Sequence, residues 1–350
     1  MKRLKELDIL RGIAICLMVF GHTWFTKEAT IEMERLIYGF HMPLFFVISG
    51  FFYKSPESYA SVKRIVLKKA RTLLIPYFVF GIIYTIVDQF VWKEYGLLES
   101  IRNILLFPTG TSNKLSETSL IPGESALWFL MALFVMNLLY ILLDLIIKNE
   151  YLRIAIILAI AITMLIIFPE NNHTELPFAL RIVLECMPYF YLGILFKKYY
   201  KRIKDLILNH KIVTTFIWLV CCAIYVFVAT VNPINTDYSY FDIFRNHWGI
   251  APLSFFNSII GFFVFWVISL VIAKYLKISS KFLSFCGSST IVFVCINHPV
   301  IKLIEYIITR VSGEITAYYQ MIAVCILSLL VCAIIATVVT KTKLKVIFGK

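Results

Sequence analysis

Charge is scarce in this chain. Asp, Glu, Lys and Arg make up 16% of its 350 residues, where a soluble globular domain carries about a quarter. Acidic charge is the scarcer sign, with 21 Asp and Glu against 34 Lys and Arg. The alternation of apolar and polar residues that a membrane β-barrel needs is missing. C-x-x-C pairs are missing too, and all eight cysteines fall in or beside apolar segments. They read as small buried hydrophobes, and no metal site is expected. No cleavable signal peptide is evident, because the first apolar run contains Arg11 and leads into further apolar runs. Nor is there an internal repeat of the kind that marks transporters built from two inverted halves.

What is present is apolar surface. Hydrophobic residues make up 60% of the chain and the mean hydropathy is +0.83. A soluble core could not hide that much, whereas lipid can, and the apolar runs are continuous. The expected fold is therefore all-α and polytopic. Ten spans are predicted, at 9–25, 36–53, 73–92, 126–147, 152–168, 178–197, 212–231, 252–273, 288–308 and 319–340. With the N-terminus inside, 24 Lys and Arg fall in cytoplasmic segments, 7 in external ones and 3 within spans. That bias places both termini in the cytoplasm, and it explains the net charge of +13 as membrane topology rather than nucleic-acid binding. The whole of 1–350 is read as one transmembrane domain with no appended soluble domain. Residues 54–77 look like a basic interfacial helix, serving lipid headgroups or seating an anionic ligand. The loops 93–125 and 232–251 are long and polar and suit an external partner. Asn172-His173-Thr174 matches a glycosylation sequon, but so short a match carries no weight.

Ionisable residues inside spans are costly, about 2.5 to 3.5 kcal/mol for a cation at a helix centre, so each is a functional candidate. Arg11 and His22 share the first span. Eleven residues at roughly 100° each put them on one face about 16 Å apart, with Asp8 one turn before Arg11. His22 is the side chain best suited to take a proton near neutral pH. His41 enters the second span at about the depth of His22. Ser49 and Gly50 lie further along, where a small pair also serves close helix packing. Arg71 precedes LLIPY near the cytoplasmic surface. Arg181 and Glu185 can pair four apart on the sixth span, and His298, Pro299, Lys302 and Glu305 crowd the ninth.

These residues carry a resemblance. LDILRGIAICLMVFGH, FHMPLFFVISGFF, RTLLIPY, ESALWFLMALF at 124–134 and NHPV at 297–300 together resemble the membrane acyltransferase 3 family across essentially the whole chain. Within it the sequence is most similar to the stand-alone sugar O-acetyltransferases of the fucose 4-O-acetylase type, which modify polysaccharides at the bacterial envelope. The resemblance implies that His22 is essential to acyl transfer and that Arg11 and Arg71 support the acyl-CoA side. It also implies that Ser49, Gly50 and Phe51 line the site. His41, Trp128 and His298 are candidates for the acceptor side.

The expected activity is transfer of an acetyl or similar short acyl group from cytoplasmic acetyl-CoA, or another short acyl-CoA, to a hydroxyl of an envelope glycan. The expected setting is the bacterial cytoplasmic membrane. CoA phosphates would rest on Arg11, Arg71 and nearby basic residues, and the thioester would reach His22 about three turns along the helix. His22 would then act as base or be acylated itself. His41 or His298 would serve the oxyanion. The rival reading is a ten-span secondary transporter or polysaccharide exporter, in which the same ionisable residues would couple ions. It does not require the Arg11-to-His22 spacing.

Overall fold

The structure is a computed structural model that describes residues 4–23, 31–92, 96–107, 126–170, 176–232, 241–315 and 317–349. Its helices run α1 Lys5–Thr23, α2 Ile31–Tyr38, α3 His41–Phe51, α4 Tyr59–Val87, α5 Leu97–Leu105, α6 Trp128–Ile146 and α7 Glu150–Ile167. They continue with α8 Leu180–Asn209, α9 Lys211–Val231, α10 Ala251–Tyr275, α11 Lys277–Ser288, α12 Thr290–Ser312 and α13 Tyr318–Lys341. The sole β contact among the described residues is a bridge between Asp242 and His247. The protein is an all-α polytopic membrane protein. Eight of these helices, α4, α6 to α10, α12 and α13, are long and apolar enough to cross a bilayer.

Two predicted spans differ from that class, each for its own reason. The first, α1, has 19 residues but carries Lys5, Glu6, Asp8 and Arg11. The second is not one helix. It breaks at Gly39 and Phe40, and α3 has only 11 residues, about 16 Å against roughly 30 Å of hydrocarbon. Three other expectations change. Most of the basic segment 54–77 and of the third span forms one helix, α4, followed by a π-helical turn at Asp88–Trp92 and started by a capping box in which Ser58 and Ser61 serve each other's backbone N–H. The loop 93–125 contains α5, while residues 93–95 and 108–125 lie outside the described residues, as does Asn172-His173-Thr174. The segment before the ninth span contains α11.

The chain divides into two compact units. One comprises Met1–Phe52, Pro169–Asn171 and Tyr189–Thr290, the other Tyr53–Phe168, Asn172–Pro188 and Ile291–Lys350. Helix α8 divides between them at Pro188.

In the first unit α1 is central and packs against α2, α3, α10 and α11. Glycine makes the closest approaches. A Cβ on Gly12 would overlap the Leu283 carbonyl of α11, and one on Gly287 would overlap the Asp8 carbonyl of α1. The same reciprocity joins α3 to α8, with Gly50 against the Phe190 carbonyl and Gly193 against the Val47 carbonyl. Without Cβ atoms the backbones come within dispersion range, which is how membrane helices associate when lipid is as apolar as leucine. Helix α9 is mostly exposed along its apolar length whereas α10 is largely buried, so α9 supplies lipid-facing surface.

In the second unit α4 packs against α5 and α6. Tyr77 donates to the Ile104 carbonyl of α5 at 2.8 Å. Asp144, at the end of α6, accepts from Tyr53, Ser55 and Arg153, and so ties the start of α7 to the segment leading into α4.

Candidate active site

Helix α1 places Arg11 and His22 on one face of a continuous helix. Of the residues on that face between them, Ile15 and Met18 are buried, so the line runs through protein rather than along lipid. Burial inside the bundle is what lets a helix with four charged residues sit here, provided each charge finds a partner.

The partners at the N-terminal end are specific. Arg11 pairs with Asp8 one turn back, and its guanidinium lies 5.6 Å from the centre of the Phe52 ring. Glu6 is buried and accepts from both Tyr200 and Lys204 of α8. Burial alone would raise its carboxyl, but these two donors outweigh burial and hold it below the usual carboxylate range. The Tyr200 ring packs edge-on to Phe51 at 5.4 Å, and Phe196 joins both. The SGFF stretch therefore meets the foot of α1 twice: Phe52 lies under Arg11, and Phe51 supports the tyrosine that holds Glu6. Gly50 is consumed by the α3–α8 crossing, and Ser49 is half-buried beside it.

The other end of α1 is organised by the break between α2 and α3. A break frees carbonyls, and in a bundle each must be served. The Leu36 carbonyl accepts from Tyr225. The Ile37 carbonyl takes the His41 ring at 2.8 Å through Nδ1. The Gly39 carbonyl, which residue 43 would serve were it not proline, accepts from Ser258 at 2.7 Å. Ser258 also accepts from Tyr189 at 3.2 Å.

His41 is fixed by this arrangement. A carbonyl only accepts, so its contact at Nδ1 requires the proton there and leaves the lone pair of the neutral ring on Nε2. Neutral His41 can take a proton at Nε2 but cannot donate there to an oxyanion. Its ring stands edge-on to Tyr38 at 5.0 Å. The same Tyr38 ring lies against Gly21, the neighbour of His22, where an added Cβ would be 3.2 Å away. His22 itself is half-buried. Tyr38 thus links the turn carrying His22 to His41. In the same unit Asp242 and His247 form a buried turn, exchanging backbone hydrogen bonds of 2.9 Å.

Arg71, Trp128 and His298 belong to the second unit. Arg71 is exposed on α4, and Trp128 is buried at the first position of α6. His298 is half-buried on α12, and its backbone N–H donates to Asn297 Oδ1 at 2.6 Å. Nearby, Lys302 and Glu305 pair at 3.5 Å. The Arg181–Glu185 pair of α8 is fully buried at 3.0 Å. Sequence reasoning did not single out Glu6, Tyr200, Lys204, Tyr38, Asp242 or Ser258. Only the proline four residues after Gly39 could have signalled that a donor such as Ser258 was needed. Among the described residues no group of His, Cys, Asp and Glu could hold a metal ion.

Arg11 and His22 are thus carried on one face of a helix packed inside the first unit of a multi-pass membrane protein. A family model described as an acyltransferase domain matches residues 4–337, nearly the whole chain and both units, and the chain belongs to that family. It is also similar to nodulation protein NolL of Sinorhizobium fredii (strain NBRC 101917 / NGR234). The two are 27% identical over 226 residues, which cover 61% of this chain and 55% of that protein. The match thus spans about half the length of that curated relative.

Proposed function

We propose that the protein is an O-acyltransferase of the bacterial cytoplasmic membrane. It moves an acetyl or similar short acyl group from cytoplasmic acyl-CoA to a hydroxyl of an envelope glycan, in the manner of the fucose 4-O-acetylase-like branch. The observation that carries this reading is α1 itself, with Arg11 and His22 three turns apart on one face and the buried Ile15 and Met18 between them. Both termini are cytoplasmic in this reading, so Arg11 lies towards the donor and His22 towards the acceptor. Arg71 is assigned to the same donor by the family resemblance.

His22 takes the proton of the acceptor hydroxyl as its oxygen attacks the thioester carbonyl. The tetrahedral intermediate collapses with loss of the C–S bond. The departing sulfur recovers the proton from His22, so the products are the acyl ester and free CoA thiol. Neutral His41, with Nε2 unprotonated, is suited to accept a hydrogen bond from the acceptor sugar.

The test is thiol release by purified protein given acetyl-CoA and an acceptor glycan. His22→Ala should abolish release while membrane insertion is unchanged. Full release by that variant would sink the assignment of His22.

A further inference from the structure

The segment after α13 folds back onto α4. Lys343–Phe348 forms a 3-10 helix whose first turn is capped by Thr342, and Phe348 is buried against the Phe80 ring at 5.0 Å. Gly349 follows in the left-handed conformation, φ 70°, with its backbone against the carbonyl of Arg71. A side chain there would overlap that carbonyl, so glycine is what lets the segment close onto α4 at this residue. The Gly349 N–H in turn bonds the Val346 carbonyl at 3.0 Å.

Docking in this register carries cations with it. In a 3-10 helix residues i and i+3 eclipse, so Lys345 shares a helix face with Phe348, one turn away. Lys341, Lys343 and Lys345 are exposed, as are Arg64, Lys68 and Arg71 on α4. The Lys68 carbonyl accepts from Thr72 at 3.0 Å, one turn from the Gly349 contact. No Asp or Glu occurs in 58–87 or in 315–350, so neither packed element supplies a carboxylate to neutralise these cations. Apolar anchors place the lysines, and nothing on the two elements offsets them. Such a surface recognises phosphate, whose oxygens take charge-assisted hydrogen bonds from Lys and Arg.

We propose that Lys343 and Lys345, carried by a segment that docks on α4, the helix of Lys68 and Arg71, form with those two residues a phosphate-binding surface for the nucleotide end of the acyl donor. The ligand class is a phosphorylated adenosine carrying a 3′-phosphate and a diphosphate, as in CoA. The proposal rests on the acyl-CoA reading above, and one protein preparation separates the two.

The test is equilibrium binding of CoA and of dephospho-CoA, which lacks the 3′-phosphate, to full-length protein in a neutral detergent. The double variant Lys343→Gln, Lys345→Gln should weaken CoA binding about fivefold to tenfold and dephospho-CoA binding less. A control pair on exposed α11 residues, Lys277→Gln and Lys281→Gln, removes the same charge and should leave both affinities unchanged. Unchanged CoA affinity in the Lys343/Lys345 variant overturns the proposal. So does a variant that loses adsorption to phosphatidylglycerol vesicles while keeping its CoA affinity, since the surface would then be a lipid seat. If the wild-type protein binds CoA in this Lys343- and Lys345-dependent way but releases no thiol with acceptor present, the transfer reading fails and the phosphate surface stands.

Discussion

Tyr84 donates its hydroxyl to the carbonyl of Cys295, the residue four before Pro299. A proline has no N–H to return to that carbonyl and lipid offers no donor, so a neighbouring group within the bundle serves it, here the Tyr84 hydroxyl. Ser258 does the same for Gly39, four residues before Pro43. Both histidines beside these prolines, His41 and His298, sit where a backbone carbonyl that has lost its helical N–H is served by another helix. Tyr84→Phe should therefore cost about 1 to 3 kcal/mol, the range for a buried acceptor left unpaired. It should lower the thermal denaturation midpoint in detergent. Adding Pro299→Ala returns an N–H to Cys295 and should recover most of the loss. A double variant no more stable than Tyr84→Phe would show that the hydroxyl is not serving the proline break.

Glycine at the helix crossings gives a second, steric expectation. The neighbours of Gly12, Gly50 and Gly287 are backbone carbonyls, which cannot swing aside as a side-chain tip would. Overpacking a tight core costs about 1 to 3 kcal/mol, occasionally more, and these positions belong at the upper end. Gly50→Ala should reduce the yield of folded protein in the membrane, whereas Ser49→Ala, at a half-buried position, should not. Normal folding yield of Gly50→Ala with lost thiol release would instead make Gly50 part of the reacting site.

How much of this was legible in the sequence depends on what each residue costs. Arg11 and His22 stand out because ionisable groups in an apolar run demand a reason, and α1 could be singled out from them alone. Its partners could not be read off. Glu6 finds Tyr200 and Lys204 about two hundred residues later, and no local pattern encodes such a pairing. Helix α11 escaped because KISSKFLSFCGS is too short and polar for a span. Its buried face of Ser280, Ser284 and Gly287 is matched to α1 rather than to lipid. The α2–α3 break lies inside a continuous apolar run, where hydropathy sees no interruption.

A pH dependence follows from Glu34 on α2. Burial pushes its carboxyl up to about 7, against the opposing charge of Arg245. A carboxyl raised above its unfolded value favours the fold fully only below the unfolded pKa, and that contribution is lost as pH rises through about 7. Wild-type stability should thus fall between about pH 4.5 and 7 by an amount that Glu34→Gln removes. Denaturation midpoints of the two proteins should converge near pH 4.5 and separate at pH 8, with the glutamine variant the more stable. Parallel curves across that range would show that Glu34 titrates normally.

The pairing of Arg11 with Asp8 separates the two roles Arg11 can have. If Arg11 serves the donor's phosphates, Asp8 competes with them for the guanidinium, and removing the competitor should help. Asp8→Asn would then leave donor affinity equal or tighter, while Arg11→Ala would weaken it by roughly tenfold, the loss of about one charge-assisted contact. If the pair only neutralises charge on a buried helix, the signs change. Either substitution strands its partner at the foot of α1, so both should destabilise the protein, and neither should move donor affinity specifically. Weaker acyl-CoA binding by Arg11→Ala but not by Asp8→Asn is expected, because Phe52 still supports the guanidinium when Asp8 is neutral. Equal loss of stability, with binding per folded molecule unchanged, would return Arg11 to a structural role and leave His22 as the functional end of α1.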